Sequence, residues 1–358
     1  MNKEDLKDFS LWCDFIERDF LKTRFGDLLK EGKFVGATSN PSIFANAIGT
    51  SVAYKSDIDT LQGKRAKEKY ETLAIADIAL AAEILEPLYR ANKDCGLISI
   101  EIDPMLCDDV KASVGEGRRL YESIAKENVM IKVPATQAGY AIMGELARAK
   151  IHINATLIFS QEQAKQCAKV LDENLRGDAR GVISVFVSRF DNVIDTSPQS
   201  HLIKSCFKQS FVQHLESLES HKNNVDSSLV CPALGVLNAL ACYDEIQRVN
   251  NPHIRTLFAS TGAKLNGLNK DYYITNLIAP HSVNTAPLST IEAFLDRANS
   301  ANNSCVPIFG LQNANEALDF IAKLNLGGKD LSQIQKNLLD NGLQAFRDAF
   351  CEMLKGLE

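Results

Sequence analysis

Short segments dense in β-branched and other apolar residues recur along this 358-residue chain, at 11–16, 34–38, 97–102, 129–134, 151–159, 182–187, 254–260 and 272–278. Longer stretches of helical periodicity lie between them. In the clearest, Tyr70, Leu73, Ala74, Asp77, Ile78, Ala81, Ile84, Leu85 and Leu88 recur at steps of three and four, making one apolar face with a single acid on it. Similar patterns occupy 120–125, 139–149, 161–175, 201–218 and 229–249. Strand and helix in alternation give a parallel sheet with right-handed crossovers. Eight strands favour an α/β fold of the closed (β/α)8 TIM-barrel type, with an open doubly wound sheet as the alternative.

The length alone fits two domains or one barrel with additions. No Pro/Gly/Ser-rich linker or low-complexity run breaks the chain, and 299–304 is its most loop-like spot. The expected organisation is one barrel domain over 1–358. After Pro280 the periodicity reads as purely helical, through 288–297, 313–324 and 331–357, so 281–358 is expected to be a helical extension packed on the barrel. The extension either closes over the site or forms a homodimer contact. A dinucleotide fingerprint is not supported: Gly115-Glu-Gly117-Arg-Arg-Leu lacks the third glycine and a preceding strand, and reads as a helix start.

Composition narrows the function classes. Hydrophobic residues at 45% and charged residues at 23% are near the globular average, which disfavours a disordered or fibrous chain. A formal net charge of -6 offers no global field for nucleic acid or anionic membrane. The charged first ten residues do not read as a signal peptide, and no apolar run is long enough to span a bilayer, so a cytoplasmic location is expected. Nine scattered cysteines without a Cys-x-x-Cys pair, and six histidines without metal spacing, point to reduced thiols and to no metal site.

The chemistry of a parallel barrel sits at the C-terminal ends of its strands. The polar residues that interrupt or close the apolar runs are Asp14, Asn40, Glu101, Lys132, Asn154, Thr156, Ser184, Arg189 and Lys264. Lys132 has apolar neighbours on both sides. Desolvation disfavours the ammonium form of a lysine and leaves an amine able to attack a carbonyl, whereas the plainer reading is a strand-end lysine paired with Glu101. Glu101 and Asp14 are carboxylates in runs that should be buried, where they serve as acid and base or neutralise a cation. Taken singly, each acid favours the structural role; three ionisable groups on strands one, three and four, converging on one mouth, shift that balance. Arg189 and Lys264 follow the sixth and seventh strands, where barrels often bind phosphate, or they are simply exposed loop cations.

Seven segments together resemble the transaldolase family: Trp-Cys-Asp-Phe-Ile at 12–16, Gly-Ala-Thr-Ser-Asn-Pro-Ser-Ile-Phe at 36–44, Ser-Ile-Glu-Ile-Asp-Pro at 99–104, Met-Ile-Lys-Val-Pro at 130–134, Ile-Asn-Ala-Thr-Leu-Ile-Phe-Ser at 153–160, Ile-Ser-Val-Phe-Val-Ser-Arg at 183–189 and Ser-Thr-Gly-Ala-Lys at 260–264. They fall in family order. The resemblance implies a class I aldolase-type barrel of the longer bacterial form, without cofactor or metal. It further implies transfer of a dihydroxyacetone unit from sedoheptulose 7-phosphate to glyceraldehyde 3-phosphate, giving erythrose 4-phosphate and fructose 6-phosphate, in the non-oxidative pentose phosphate pathway. By position, Lys132 is the Schiff-base nucleophile and Asp14 the acid/base at the C4 hydroxyl, while Glu101 and Thr156 hold a proton-shuttling water. Asn40, Asn154, Ser184 and Ser260 bind substrate, Phe186 lines the pocket, and Arg189 with Lys264 binds phosphate.

The chain departs from the family at Lys264, where many members carry arginine, at Cys13 and at Val185, where proline is common. None of these removes a catalytic group. Two rival functions are a fructose 6-phosphate aldolase, which releases free dihydroxyacetone, and a catalytically silent sugar-phosphate-binding barrel.

Overall fold

The computed structural model describes residues 8–196, 234–265, 267–299 and 330–358. Eight parallel strands close into a barrel in sequence order: β1 (Phe9–Cys13), β2 (Ala37–Thr38), β3 (Ile98–Glu101), β4 (Val129–Pro134), β5 (His152–Ile158), β6 (Gly181–Phe186), β7 (Ile254–Ala259) and β8 (Ser282–Ala286). Strands β2 to β8 are buried along their whole length except at Glu101, the last residue of β3, because barrel side chains fill one face and helices cover the other. The (β/α)8 expectation holds.

The eighth strand corrects the sequence reading. Residues 272–278 are dense in aromatic and β-branched residues, yet Tyr272–Asn276 is a short helix, and the closing strand is Ser282–Ala286. Ser-Val-Asn-Thr-Ala alternates polar and small residues rather than forming an apolar run. Most of its polar groups find partners inside the barrel, Ser282 donating to the Ala279 carbonyl at 2.7 Å and Asn284 Oδ1 accepting from Thr261 at 2.8 Å, while Asn284 Nδ2 has no partner among the described residues. Burial that depends on such partners leaves no hydrophobic signature. The chain after Pro280 is therefore not purely helical, and the helical part begins at Leu288 rather than at 281.

The principal helices are α1 (Pro41–Thr50), α2 (Ala66–Ala91), α3 (Val110–Ile124), α4 (Gln137–Arg148), α5 (Gln161–Asn174), α6 (Ser188–Thr196), α7 (Leu234–Gln247), α8 (Tyr272–Asn276), α9 (Leu288–Asn299) and α10 (Leu331–Lys355). Side-chain caps start several of them directly after strands: Asn40 accepts from the Ile43 amide at 3.0 Å, Thr136 from Gly139 at 3.0 Å and Ser160 from Gln163 at 3.2 Å. Gly115 and Gly117 do not open a helix. They lie inside α3, which Asp109 caps, and a Cβ at position 117 would lie 2.9 Å from Leu146. The expected helices at 201–218 and 313–324 lie outside the described residues, as does most of the loop at 299–304.

Helix α10 packs on its own barrel. Ile334, Leu338, Phe350 and Met353 are buried, with Phe350 edge-on to Tyr70 at 5.5 Å and Tyr70 in turn edge-on to Phe44 of α1 at 5.9 Å. Lys69 of α2 donates to the Leu357 carbonyl at 2.6 Å just beyond the helix. Among the described residues no helix is long and apolar enough to cross a membrane.

Candidate active site

At the C-terminal mouth of the barrel lies a cavity of about 320 Å³, lined by Asp14, Thr38, Asn40, Lys132, Thr156, Ser184, Phe186, Arg189, Ser260 and Lys264 among others. Strand register explains the centre of it. Glu101, Lys132 and Asn154 are direct neighbours across β3, β4 and β5, so three polar side chains share one level of the barrel. Pro134 likewise faces Thr156 one layer higher.

Lys132 is 5% exposed. Its Nζ lies 3.1 Å from Glu101 Oε1 and donates to the Ser39 carbonyl at 2.9 Å. Burial pushes the Glu101 carboxyl up from 4.5 to about 7, against the opposing pull of Lys132, because desolvation penalises the carboxylate more than the ammonium relieves it. Beyond that ion pair, Glu101 Oε2 and Thr156 Oγ1 are buried with no hydrogen-bond partner among the described residues. Two acceptor-capable groups so placed are costly unless something else supplies a donor.

Asp14 lies just past the end of β1, not within a strand as the run 11–16 suggests. Its backbone amide donates to the Ala286 carbonyl at 2.9 Å, which ties its position to β8. Thr38 donates to Asp14 Oδ1 at 2.7 Å and stands 2.7 Å from the Thr285 hydroxyl. Burial is the largest influence on Asp14 and raises its carboxyl above the usual range, with Lys132 and the Thr38 hydroxyl pulling the other way.

Asn154 does not line the cavity. It is fully buried and spans two hydroxyls, donating from Nδ2 to Ser99 at 3.1 Å and accepting at Oδ1 from Ser184 at 2.6 Å. Ser184 thus has its proton committed to Asn154 and its oxygen left at the cavity wall. Arg189 and Lys264 are exposed at the rim, where Lys264 is lowered by burial first and by the Arg189 charge second. Two cations close enough to disfavour one another form a natural seat for a dianion.

Across residues 11–357 the chain matches the family model described as transaldolase/fructose-6-phosphate aldolase. A protein named transaldolase from Helicobacter pylori (strain P12) is 42% identical over 98% of this chain and 99% of its own length. Another of that name, from Campylobacter jejuni subsp. jejuni serotype O:6 (strain 81116 / NCTC 11828), is 41% identical over 98% of this chain and 100% of its own. The chain belongs to the transaldolase/fructose-6-phosphate aldolase family.

Within that family frame, the site also contains residues that the strand-end reading of the sequence did not identify. Thr38, itself bonded to Thr285 of β8, holds Asp14, and Ser39 and Ser99 link Lys132 to Asn154. Thr38, Ser39 and Ser99 lay in segments already singled out; Ser99 alternates with Ile98 and Ile100, whereas Thr38 and Ser39 stand together in a polar run and carried no such signal. Phe346 of α10 also reaches the cavity, with Lys132 Nζ 5.9 Å from its ring centroid. No local pattern distinguishes Phe346 from the other apolar residues of that helix. Among the described residues there is no cluster of three or more His, Cys, Asp or Glu able to hold a metal.

Proposed function

We propose that the chain is a transaldolase that transfers a dihydroxyacetone unit from sedoheptulose 7-phosphate to glyceraldehyde 3-phosphate, yielding erythrose 4-phosphate and fructose 6-phosphate. The observation that carries this reading is a buried lysine beside a carboxyl held near neutrality, at the floor of a cavity with two cations on its rim. On this reading the substrates are sugar phosphates, the reaction belongs to the non-oxidative pentose phosphate pathway, and the enzyme works in the cytoplasm.

Lys132 Nζ, as the free amine, attacks the ketose C2 carbonyl to give a carbinolamine. Loss of water from that adduct gives the iminium. Glu101, with a carboxyl near 7, is able both to give and to take a proton at physiological pH, and a water held between it and Thr156 relays the proton to the departing hydroxyl. Asp14 then takes the proton of the C4 hydroxyl as the C3–C4 bond breaks and its electron pair passes to the iminium. The aldose phosphate leaves and a dihydroxyacetone enamine remains on Lys132. The enamine carbon attacks the incoming aldehyde, whose oxygen receives the proton from Asp14, and hydrolysis of the new iminium frees the product. Arg189 and Lys264 bind the remote phosphate, and that binding energy orients the carbonyl at the amine.

The test is mass spectrometry after incubation with fructose 6-phosphate and borohydride. A dihydroxyacetone-sized adduct on the Lys132 peptide, consumed when erythrose 4-phosphate is added before the reductant, is the expected result. An adduct that instead decays to free dihydroxyacetone at the same rate with and without acceptor would make the chain an aldolase. No adduct on folded protein would favour the silent sugar-phosphate-binding barrel.

A further inference from the structure

We infer that Phe346 sets the fate of the enzyme-bound three-carbon unit: its ring forms the apolar wall over the reacting carbon and favours transfer to an aldehyde over loss to water. This rests on the Schiff-base reading of Lys132. The cavity's other apolar lining, Phe15, Ile43, Phe186, Ala259 and Pro287, comes from the strand ends and the segments that follow them. Phe346 is the contribution of α10, and it approaches the amine from outside the strands, 5.9 Å from Nζ to ring centroid. An iminium formed at Nζ would carry its positive charge within the range at which an aromatic face attracts a cation. The enamine that follows is neutral, and its carbon must outlast the departure of one aldehyde and the arrival of the next. Hydrolysis needs the enamine carbon protonated and then water at C2, so a dry surface there slows the unwanted branch.

The helix is built to hold the ring in place. One turn before Phe346, Gly342 lies so close to β5 that a Cβ there would be 3.0 Å from Leu157 and 3.7 Å from Phe159. Leu157 itself is in the left-handed region, at φ 60°, within the irregularity that shifts the β5–β6 register. The next residue, Arg347, reaches the loop after β3, 2.8 Å from Asp108 and 3.2 Å from the Cys107 sulfur. One turn after Phe346, Phe350 is buried against Tyr70. Anchors on both sides of a half-buried aromatic fix it relative to β3 and β5, the strands that carry Glu101 and Thr156.

The experiment compares wild type with F346A, F346Q and F346L, measuring free dihydroxyacetone released per dihydroxyacetone transferred to erythrose 4-phosphate, with borohydride trapping at Lys132 recorded in parallel. F346A and F346Q should still trap at Lys132, though less as the ring's attraction for the iminium is lost, while the release-to-transfer ratio rises about tenfold. F346L, which keeps an apolar surface, should return most of the way to the wild-type ratio. If F346A does not fold, F346Q, similar in length and helix-compatible, carries the same expectation. Trapping at Lys132 with an unchanged ratio in the folded polar variant would overturn the role of Phe346. Absence of trapping in wild type would instead overturn the Schiff-base reading beneath it.

Discussion

Replacing Glu101 by Gln should change how stability depends on pH, by an amount that follows from the position of its carboxyl. In the folded protein that carboxyl titrates near 7 because burial outweighs the pull of Lys132, whereas the ordinary value is 4.5. Between those two pH values the native state keeps a proton that the unfolded chain has released, so native stability falls as pH rises through the window. At about 1.4 kcal/mol per pH unit, the displacement from 4.5 to about 7 is worth roughly 3 kcal/mol above pH 7. Glutamine has no proton to lose, so E101Q should gain on wild type by about that amount between pH 4.5 and 8. Below about pH 7 the wild-type carboxyl is itself protonated, so Lys132 faces a neutral group in both proteins and the slope remains. Denaturant unfolding at a series of pH values, followed by the fluorescence of the single, fully buried Trp12, reads the difference directly. A difference that stays constant across the window, or that moves in favour of wild type as pH rises, would show that Lys132 holds Glu101 ionised and would refute the reasoning.

Thr156→Val should leave stability unchanged or slightly higher, since the hydroxyl it removes has no hydrogen-bond partner among the described residues, yet slow Schiff-base formation measured by rapid quench by about 100-fold or more if that hydroxyl orients a shuttling water. Lys264→Ala should raise the KM for fructose 6-phosphate by about tenfold or more, the worth of a charge-assisted hydrogen bond, with a smaller effect on unphosphorylated ketoses. Gly139→Ala puts a Cβ 1.9 Å from the Pro134 carbonyl at the end of the strand bearing Lys132, and should cost about 2 kcal/mol or more in urea unfolding.

The barrel was legible because strands buried on both faces are continuous apolar runs, and seven of the eight stood out as such. The eighth did not, because β8 spends buried positions on Ser282 and Asn284, which bond the Ala279 carbonyl and the Thr261 hydroxyl, while the aromatic-rich 272–276 satisfies a helix. The same distinction runs through the site. Lys132 and Glu101 were visible as charges inside apolar strands, and the register makes them adjacent. That Asn154 is braced between Ser99 and Ser184, rather than open to the cavity, depends on three strands at once and has no local signal. Phe346 was invisible for the same reason: only the docking of α10 distinguishes it from its neighbours.

Because α10 follows every strand in the chain, synthesis completes the barrel before it completes the cavity. The chain up to the end of β8 already carries Lys132, Glu101 and Asp14, but it lacks the ring that stands 5.9 Å from the amine. The cavity is roofed last, by a segment that proteolysis or premature termination after residue 299 would remove without taking any of the eight described strands. Loss of that helix would turn the catalyst into a barrel with an open amine, so the chain's late segment is where an intact fold and a disciplined reaction part company.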